Sequence, residues 1–460
     1  MMASLEPEIL QKASRIKALG AFRLAADKIP AYREILKAKN LNPSSVKTIE
    51  DFKNLVPIIS KEDTFHFYSE KIKKLCLSGE IKDAKVIVSS SGHSGYFSYG
   101  LSTDKELEKS QSLIDFMLNH IFDVGSKKTI LINCLPMGVK ITTSAVTVAD
   151  TSVRSDIVLG VIRTFSDCYD QTILLGENSF IKKVLEEGVE QGIDWKKIKL
   201  NIILGEELIA ENLRSYMADI TGINLDDIRC QNMIGSSFGI AEFGLNLFYE
   251  TKELIRVRRL IARDKALRTK LFGQNADNIP ALFHYNPLRI FVEEAPKENG
   301  LSELVLTNLE KEALIPLIRY NIKDEGNKIS FSDLAAALNS SGYEDYVPRI
   351  RLPIVAIWGR DKITTSEGTT LRPEFVKEIL YQDRSIAYGI TGNFKLSLAK
   401  AGLRIEIQAK KNMEQCPDLE KKIREIIIAN IPAAAEIIVY PYRDFPHGME
   451  LNYEKKFQYI

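Results

Sequence analysis

Neither sign of charge dominates this sequence: 62 lysines and arginines stand against 61 aspartates and glutamates. Without a basic excess, neither nucleic acid nor an anionic membrane is the expected main partner. Cysteine is scarce. The five residues (Cys76, Cys134, Cys168, Cys230, Cys416) are odd in number and never at a Cys-x-x-Cys spacing. They read as reduced, mostly buried thiols, which speaks against a disulfide framework or a structural zinc site. No apolar run approaches the ~20 residues needed to span a bilayer. The opening Met1-Met2-Ala3-Ser4-Leu5-Glu6 lacks the basic stretch and apolar run of a signal peptide. Repeats and low-complexity segments are missing as well, which removes solenoid and scaffold architectures. A cytoplasmic protein is the expectation. Its 460 residues, 45% hydrophobic and 27% charged, exceed what one core usually supports, so two or more domains are expected.

What is present is an alternation of elements. The first 60 residues look helical, with breaks at Pro30 and Pro57. Lys85 to Val88 and Thr129 to Cys134 read as buried strands. Thr172 to Leu175 runs into Gly176-Glu177-Asn178, where Asn178 or Ser179 would cap a helix carrying Phe180, Ile181, Val184, Leu185 and Val189 and closing at Gly192. Leu200 to Leu204 is a further buried strand, followed by Gly205-Glu206-Glu207. Strand, helix and strand with short connections predict an α/β core with parallel pairing, in which ligands bind where strand ends meet loops. Beyond about Arg360 the texture changes. Leu403 to Ala409 alternates as a strand with one wet face, Leu419 to Ile431 is a helix stopped by Pro432, and Glu436 to Tyr440 is another strand. This predicts a small α+β module, with its boundary near Trp358-Gly359-Arg360-Asp361-Lys362.

Four segments carry possible chemistry. Ser89-Ser90-Ser91-Gly92-His93-Ser94-Gly95-Tyr96 follows a predicted strand, and its glycines and hydroxyls suit either a phosphate cradle or a plain loop. It is no Walker-type loop, because no Gly-Lys-Ser/Thr comes after it. Phe238-Gly239-Ile240-Ala241-Glu242 follows a predicted strand from Ile228 to Met233. It offers an aromatic face for a purine and a carboxylate for Mg²⁺, or else a core Phe and a solvated Glu. Ile318 to Asp324 ends an apolar run with a carboxylate that either takes both ribose hydroxyls or caps the turn at Gly326. Gly359-Arg360-Asp361 suits a hinge, or an ordinary polar linker.

The order of these segments resembles a known family. Ile29-Pro30-Ala31-Tyr32-Arg33, then Ile49 to Pro57, then Ser60-Lys61-Glu62-Asp63, is similar to the opening of phenylacetate–CoA ligases, a branch of the adenylate-forming, AMP-binding superfamily. Ser90 to Tyr96 resembles their "SSGTTGK" phosphate loop. Leu204-Gly205-Glu206 resembles "GGE", and Phe238 to Glu242 resembles "YG-x-[ST]-E". Ser302 to Thr307, Glu310 to Leu314, Arg319-Tyr320 and Asp324 are similar to the family's "GELV" to "R-Y-R-x-x-D" stretch. Gly359-Arg360, Gly368, Pro373-Glu374 and Ile379-Leu380 resemble its hinge and the segment C-terminal to that hinge. Six segments stand in the family's order over nearly the whole chain.

The resemblance implies a large N-terminal α/β domain (1–359) and a small mobile C-terminal α+β domain (360–460), with a carboxylic acid and Mg·ATP bound between them. It implies acyl-AMP and pyrophosphate as first products, then transfer to a thiol, coenzyme A first of all. Ser90, Ser91, Gly92, His93, Ser94 and Gly95 would hold phosphates. Gly205 and Glu206 would lie beside the adenine, Phe238 would stack on it, and Gly239 would also contact the nucleotide. Glu242 would hold Mg²⁺, Asp324 the ribose, and Arg360 would lie near ribose or phosphate. Met137, Gly138, Ile234, Gly235 and Ser236 would line the acid pocket. The chain also departs from the family. His93 replaces a Thr, and Tyr96 replaces the loop Lys, removing a fixed cation; His93, with an ordinary pKa of about 6.5, is mostly neutral at pH 7. The hinge is one residue short, so Asp361 or Lys362 is the pivot. No Gly-Lys pattern precedes the tail, where Lys455 or Lys456 serves catalysis or forms a surface pair. These departures point to a divergent, biosynthetic member. The expected substrate is an aromatic or small apolar acid. The alternatives are transfer to a carrier protein or an amine, or nucleotide binding without turnover; a homodimer is possible by analogy.

Overall fold

The structure, a computed structural model, describes residues 6–81, 83–90, 95–136, 138–297, 300–365, 368–399, 402–413, 417–431, 434–447, 453 and 456–460. The prolines and caps of the N-terminal region set its helices. Helix Pro7–Lys28 has Pro at its first position, and Pro30 opens the next helix, Pro30–Ala38. Helix Ile49–Leu55 begins with a capping box: Thr48 Oγ1 accepts from Asp51 N at 3.0 Å, and Asp51 accepts from Thr48 N at 2.8 Å. No helix among the described residues is long and apolar enough to cross a membrane.

The chain forms two compact units, Met1–Ile114 with Ser237–Arg360, and Asp115–Ser236 with Asp361–Ile460. In the first unit an antiparallel sheet runs in the order Ile290–Pro296, Ser302–Asn308, Tyr320–Ile329, Ile354–Gly359, Ala281–Tyr285, Gly244–Tyr249 and the 237–240 part of Ile234–Ile240. Leu254, Val257, Ile261, Leu282, Ile354 and Trp358 pack its core. A separate hairpin pairs Val86–Ser89 with Tyr99–Ser102.

The second unit contains the expected parallel sheet, in the order 234–236, Leu200–Gly205, Gln171–Glu177, Thr129–Asn133 and Thr147–Asp150. Its central strand is buried at every position, and Ile173, Leu174 and Leu175 follow one another rather than alternate with polar residues. Helices Ser155–Phe165, Asn178–Glu190 and Glu211–Thr221 contribute Val158, Phe180, Ile181, Leu213 and Met217 to the core around it. The rest of this unit is a three-stranded sheet, Ile390–Ala399, Gly402–Ala409 and Ala434–Tyr440, with helix Pro417–Asn430 against it through Ile423 and Ile427.

Four local expectations need correction. The strand expected to be buried over 85–88 is Val86–Ser89 of the two-stranded hairpin, and its Val86 and Ile87 are exposed because no second layer covers them. The strand expected over 228–233 begins at Ile234 instead, because Asp226 and Asp227 sit in a side-chain-bonded turn around Asn224 Oδ1. Helix Asn178–Glu190 is capped by Glu177, whose carboxylate accepts from Ser179 N at 2.8 Å and Phe180 N at 2.9 Å, not by Asn178 or Ser179. The expected wet face of Leu403–Ala409 is covered at Glu406 and Gln408, while Arg404 stays half-exposed. Glu406 accepts from Tyr440 at 3.1 Å and Gln408 donates to Tyr442 O at 2.9 Å, so burial is met by partners.

Candidate functional site

In the first unit, the hairpin Val86–Ser89/Tyr99–Ser102 carries the Ser/Gly loop at its tip. The two strands close where Ser90 N donates to Ser98 O at 2.9 Å and Ser98 N donates to Ser90 Oγ at 3.0 Å. Ser91, Gly92, His93 and Ser94 lie outside the described residues, as do Met137 and Lys455. Gly95 is described and has a φ of 83°, a conformation that favours glycine.

The hairpin lies directly against the turn that carries Glu242. A Cβ placed on Gly100 would overlap the Ala241 carbonyl oxygen, and Glu242 Cα lies 3.9 Å from it. Only a glycine permits that backbone approach. Glu242 Oε1 accepts from Tyr320 Oη at 2.8 Å. Burial, and next the Glu242 charge, push the Tyr320 phenol far above its ordinary range, so it stays a donor. Glu242 Oε2 is buried with no hydrogen-bond partner among the described residues. An orphaned buried carboxylate oxygen fits a hard cation.

Tyr320 opens strand Tyr320–Ile329 and is held from several sides. Its ring lies 6.5 Å from Phe65 and 5.9 Å from Phe243, and Ile59 forms a parallel bridge to it. The preceding Arg319 adopts a left-handed φ of 49°. Its guanidinium pairs with buried Glu293 at 3.2 Å and also reaches the Val56 carbonyl, which offsets the backbone strain. Asp324 is buried on the same strand, where the register shifts between Glu303 and Val305 and Lys323 has a φ of 66°. Because Glu325 pairs with Gly359, Asp324 and Arg360 lie at the same end of that ladder. Phe238 is half-buried, its ring 5.5 Å from Phe248 and 6.1 Å from Phe283, and Gly239 beside it is exposed.

The first unit therefore gathers Ser90, Gly95, Phe238, Gly239, Glu242, Asp324 and Arg360. Gly138, Gly205, Glu206, Ile234, Gly235, Ser236, Asp361, Lys362 and Lys456 belong to the second unit. There, Glu206 is exposed with a left-handed φ of 68° at the end of strand Leu200–Gly205, and Ile234, Gly235 and Ser236 are buried against that strand. Glu207, next in sequence, pairs with Lys377 Nζ at 2.6 Å, and both side chains are buried. Tyr459 Oη donates to the same carboxylate at 3.2 Å. Burial alone would raise Glu207, but Lys377 and then Lys456 hold it low. Glu177 goes the other way: burial, then the Glu207 charge, raise it to about 7.

Sequence reasoning missed Lys61, Gly100 and Tyr320 as parts of this site. Gly100 was detectable, since a glycine inside a strand signals a close backbone approach. Tyr320 and Lys61 stood only within longer matched segments, and nothing local marks them.

No sequence-family model matches the chain, and no curated protein matches it by sequence. Solved structures do match its fold. A 2-hydroxyisobutyryl-CoA ligase in the postadenylation state with 2-HIB-AMP superposes with a TM-score of 0.70 at 12% identity, over 98% of this chain and 88% of that one. The same ligase with 2-HIB-AMP and CoA in the thioesterification state gives 0.57 at 12% identity, over 98% and 90%. An anthranilate CoA ligase in complex with anthranoyl-AMP gives 0.51 at 12% identity, over 82% and 66%. The chain has the fold of the adenylate-forming ligases, as the order of its sequence segments implies.

Proposed function

We propose that this protein uses ATP to convert a carboxylic acid into an acyl-adenylate and passes the acyl group to a thiol, coenzyme A first of all. The observation that carries the reading is the packing of the loop-bearing hairpin, through Gly100, onto the turn of Glu242, whose buried Oε2 has no hydrogen-bond partner among the described residues. In the first step a carboxylate oxygen attacks the α-phosphorus. The bond to the bridging oxygen breaks and its electron pair leaves on pyrophosphate. In the second step a thiol attacks the acyl carbon, its proton goes to solvent and AMP departs. Mg²⁺ arriving with the nucleotide would neutralise phosphate charge, and Glu242 is the residue to hold it. The chain's own work is positioning and charge compensation. Ser90 and Gly95 with the loop they flank take the phosphates, Phe238 and Gly239 the adenine beside Gly205 and Glu206, and Asp324 the ribose hydroxyls, with Arg360 near them. Gly138, Ile234, Gly235 and Ser236 border an aromatic or small apolar acid. Residues 360–460 act as a mobile domain about Asp361 or Lys362, and Lys456 reaches the α-phosphate.

A second reading, nucleotide binding without turnover, is favoured by Tyr96, which replaces the loop's cation. Pyrophosphate release from Mg·ATP over a panel of aryl and alkyl acids, with and without coenzyme A, separates the readings. Acid-dependent release that coenzyme A accelerates supports the ligase. Release indifferent to coenzyme A transfers the acceptor role to a carrier protein or an amine. Silence with every acid, in protein that binds ATP, favours the second reading.

A further inference from the structure

With Tyr96 in place of lysine, the loop brings no fixed cation of its own. Tyr96 instead packs its ring 3.7 Å from that of His66. A cation nevertheless reaches the base of the loop from another element. Lys61 Nζ donates to Ser90 Oγ at 3.3 Å, the same oxygen that receives Ser98 N. The ammonium thus sits at Ser90, whose backbone and hydroxyl both bond to Ser98.

The chain around Lys61 is fixed on both sides. Ile59 N donates to Arg319 O at 3.0 Å and Asn321 N donates to Ile59 O at 2.8 Å, which seats residues 59–61 beside Tyr320. Ser60 N and Oγ donate to Asp63 at 2.8 and 2.7 Å, closing the turn beyond. Tyr320 in turn holds Glu242. Lys61, Ser90, Tyr320 and Glu242 are therefore linked through one small framework. Burial lowers the Lys61 ammonium, with Glu242 and Glu62 opposing and Arg360 adding to that effect, so two carboxylates and two cations act on one another there. A partly desolvated ammonium beside a second cation gains from a polyanion that brings two or more negative charges.

We propose that Lys61 supplies the cation that the loop lacks, contacting the β- and γ-phosphates of the nucleotide and so the pyrophosphate that leaves. The proposal rests on the acid-activating reading above. In the activation step the electron pair of the breaking α–β bridge ends on pyrophosphate. Lys61 compensates that charge without giving up its proton.

The competing role is structural, in which Lys61 only steadies Ser90. Calorimetric titration of Mg·ATP and of AMP into wild type, Lys61→Met and Lys61→Arg distinguishes the two. Loss of one charge-assisted contact to the outer phosphates is expected to weaken ATP binding by about tenfold to a hundredfold in Lys61→Met. AMP, which lacks those phosphates, should bind as in wild type, and Lys61→Arg should recover most of the ATP affinity. A melting temperature matching wild type shows that the variants fold. Equal losses for ATP and AMP would make Lys61 a structural support and overturn the proposal, as would unchanged ATP binding in Lys61→Met. Wild-type protein that binds neither nucleotide would remove the acid-activating reading, and this proposal with it.

Discussion

At Gly100 one methyl group decides whether the hairpin and the Glu242 turn can meet. Gly100→Ala drives a Cβ into the Ala241 carbonyl oxygen, and backbone cannot swing aside as a side chain can. The expected cost is about 1–3 kcal/mol of stability, with a larger proportional loss of ATP affinity than of melting temperature. A variant with wild-type ATP affinity would show that the hairpin works without this approach. Glu242→Ala and Asp324→Ala test the carboxylates themselves. Each is expected to lower adenylation by at least ~100-fold while the fold stays intact by circular dichroism. Full activity in either would place the metal or ribose contact elsewhere.

At the scale of elements, a buried charge network ties the parallel sheet of the second unit to helix Pro373–Leu380. Lys377 meets Glu207, and its neighbour Glu378 accepts from Glu211 N at 2.6 Å and Asn212 N at 2.9 Å, capping helix Glu211–Thr221 from another segment of the chain. Lys377→Met leaves the Glu207 carboxylate buried without its main cation, which costs about 3–5 kcal/mol. The double variant Lys377→Met/Glu207→Leu should recover much of that loss in urea unfolding, and a purely additive result would mean that the two side chains are not coupled. Glu177, at the end of strand Gln171–Glu177, gives the network a pH dependence. A carboxyl raised on folding to about 7 contributes stability below its unfolded value near 4.3 and loses it as pH climbs through about 7. Glu207, held low, titrates below this window, and Lys377, held high, titrates above it. Glu177→Gln still offers an oxygen to Ser179 N and Phe180 N. Its melting temperature should therefore fall less than that of wild type between about pH 5 and pH 8. Parallel slopes would assign the pH dependence to another group.

At the scale of the molecule, residues 361–460 pack with residues 115–236 in one compact unit. Tyr381 and Ala387 enter the core around the parallel sheet. Lys182, fully buried, donates to the Ile390 carbonyl at 2.8 Å and pairs with Glu186, which Lys410 also reaches at 3.2 Å. A chain cut after Arg360 leaves Lys182 without that carbonyl and Glu207 without Lys377. Its second unit is expected to melt several degrees below the full chain by scanning calorimetry, since each lost kcal/mol is worth about 2–4 °C in a domain of this size. A fragment that melts with the full chain would show that these contacts add little.

Much of this architecture was legible in the sequence because burial and local chemistry write themselves into composition. The apolar runs at 129–134, 172–175 and 200–204 carry buried strands, and Pro30, read as a break, separates two helices. The order of Ser90, Glu242, Asp324 and Arg360 along the chain likewise pointed to the fold. What only tertiary structure decided are the pairings between residues far apart in sequence. Gly100 against Ala241, Lys61 against Ser90, Tyr320 against Glu242 and Lys377 against Glu207 leave no periodicity behind. A buried Glu and a solvated Glu are the same letter, and only the folded chain determines which desolvation cost each one bears and which partner offsets it.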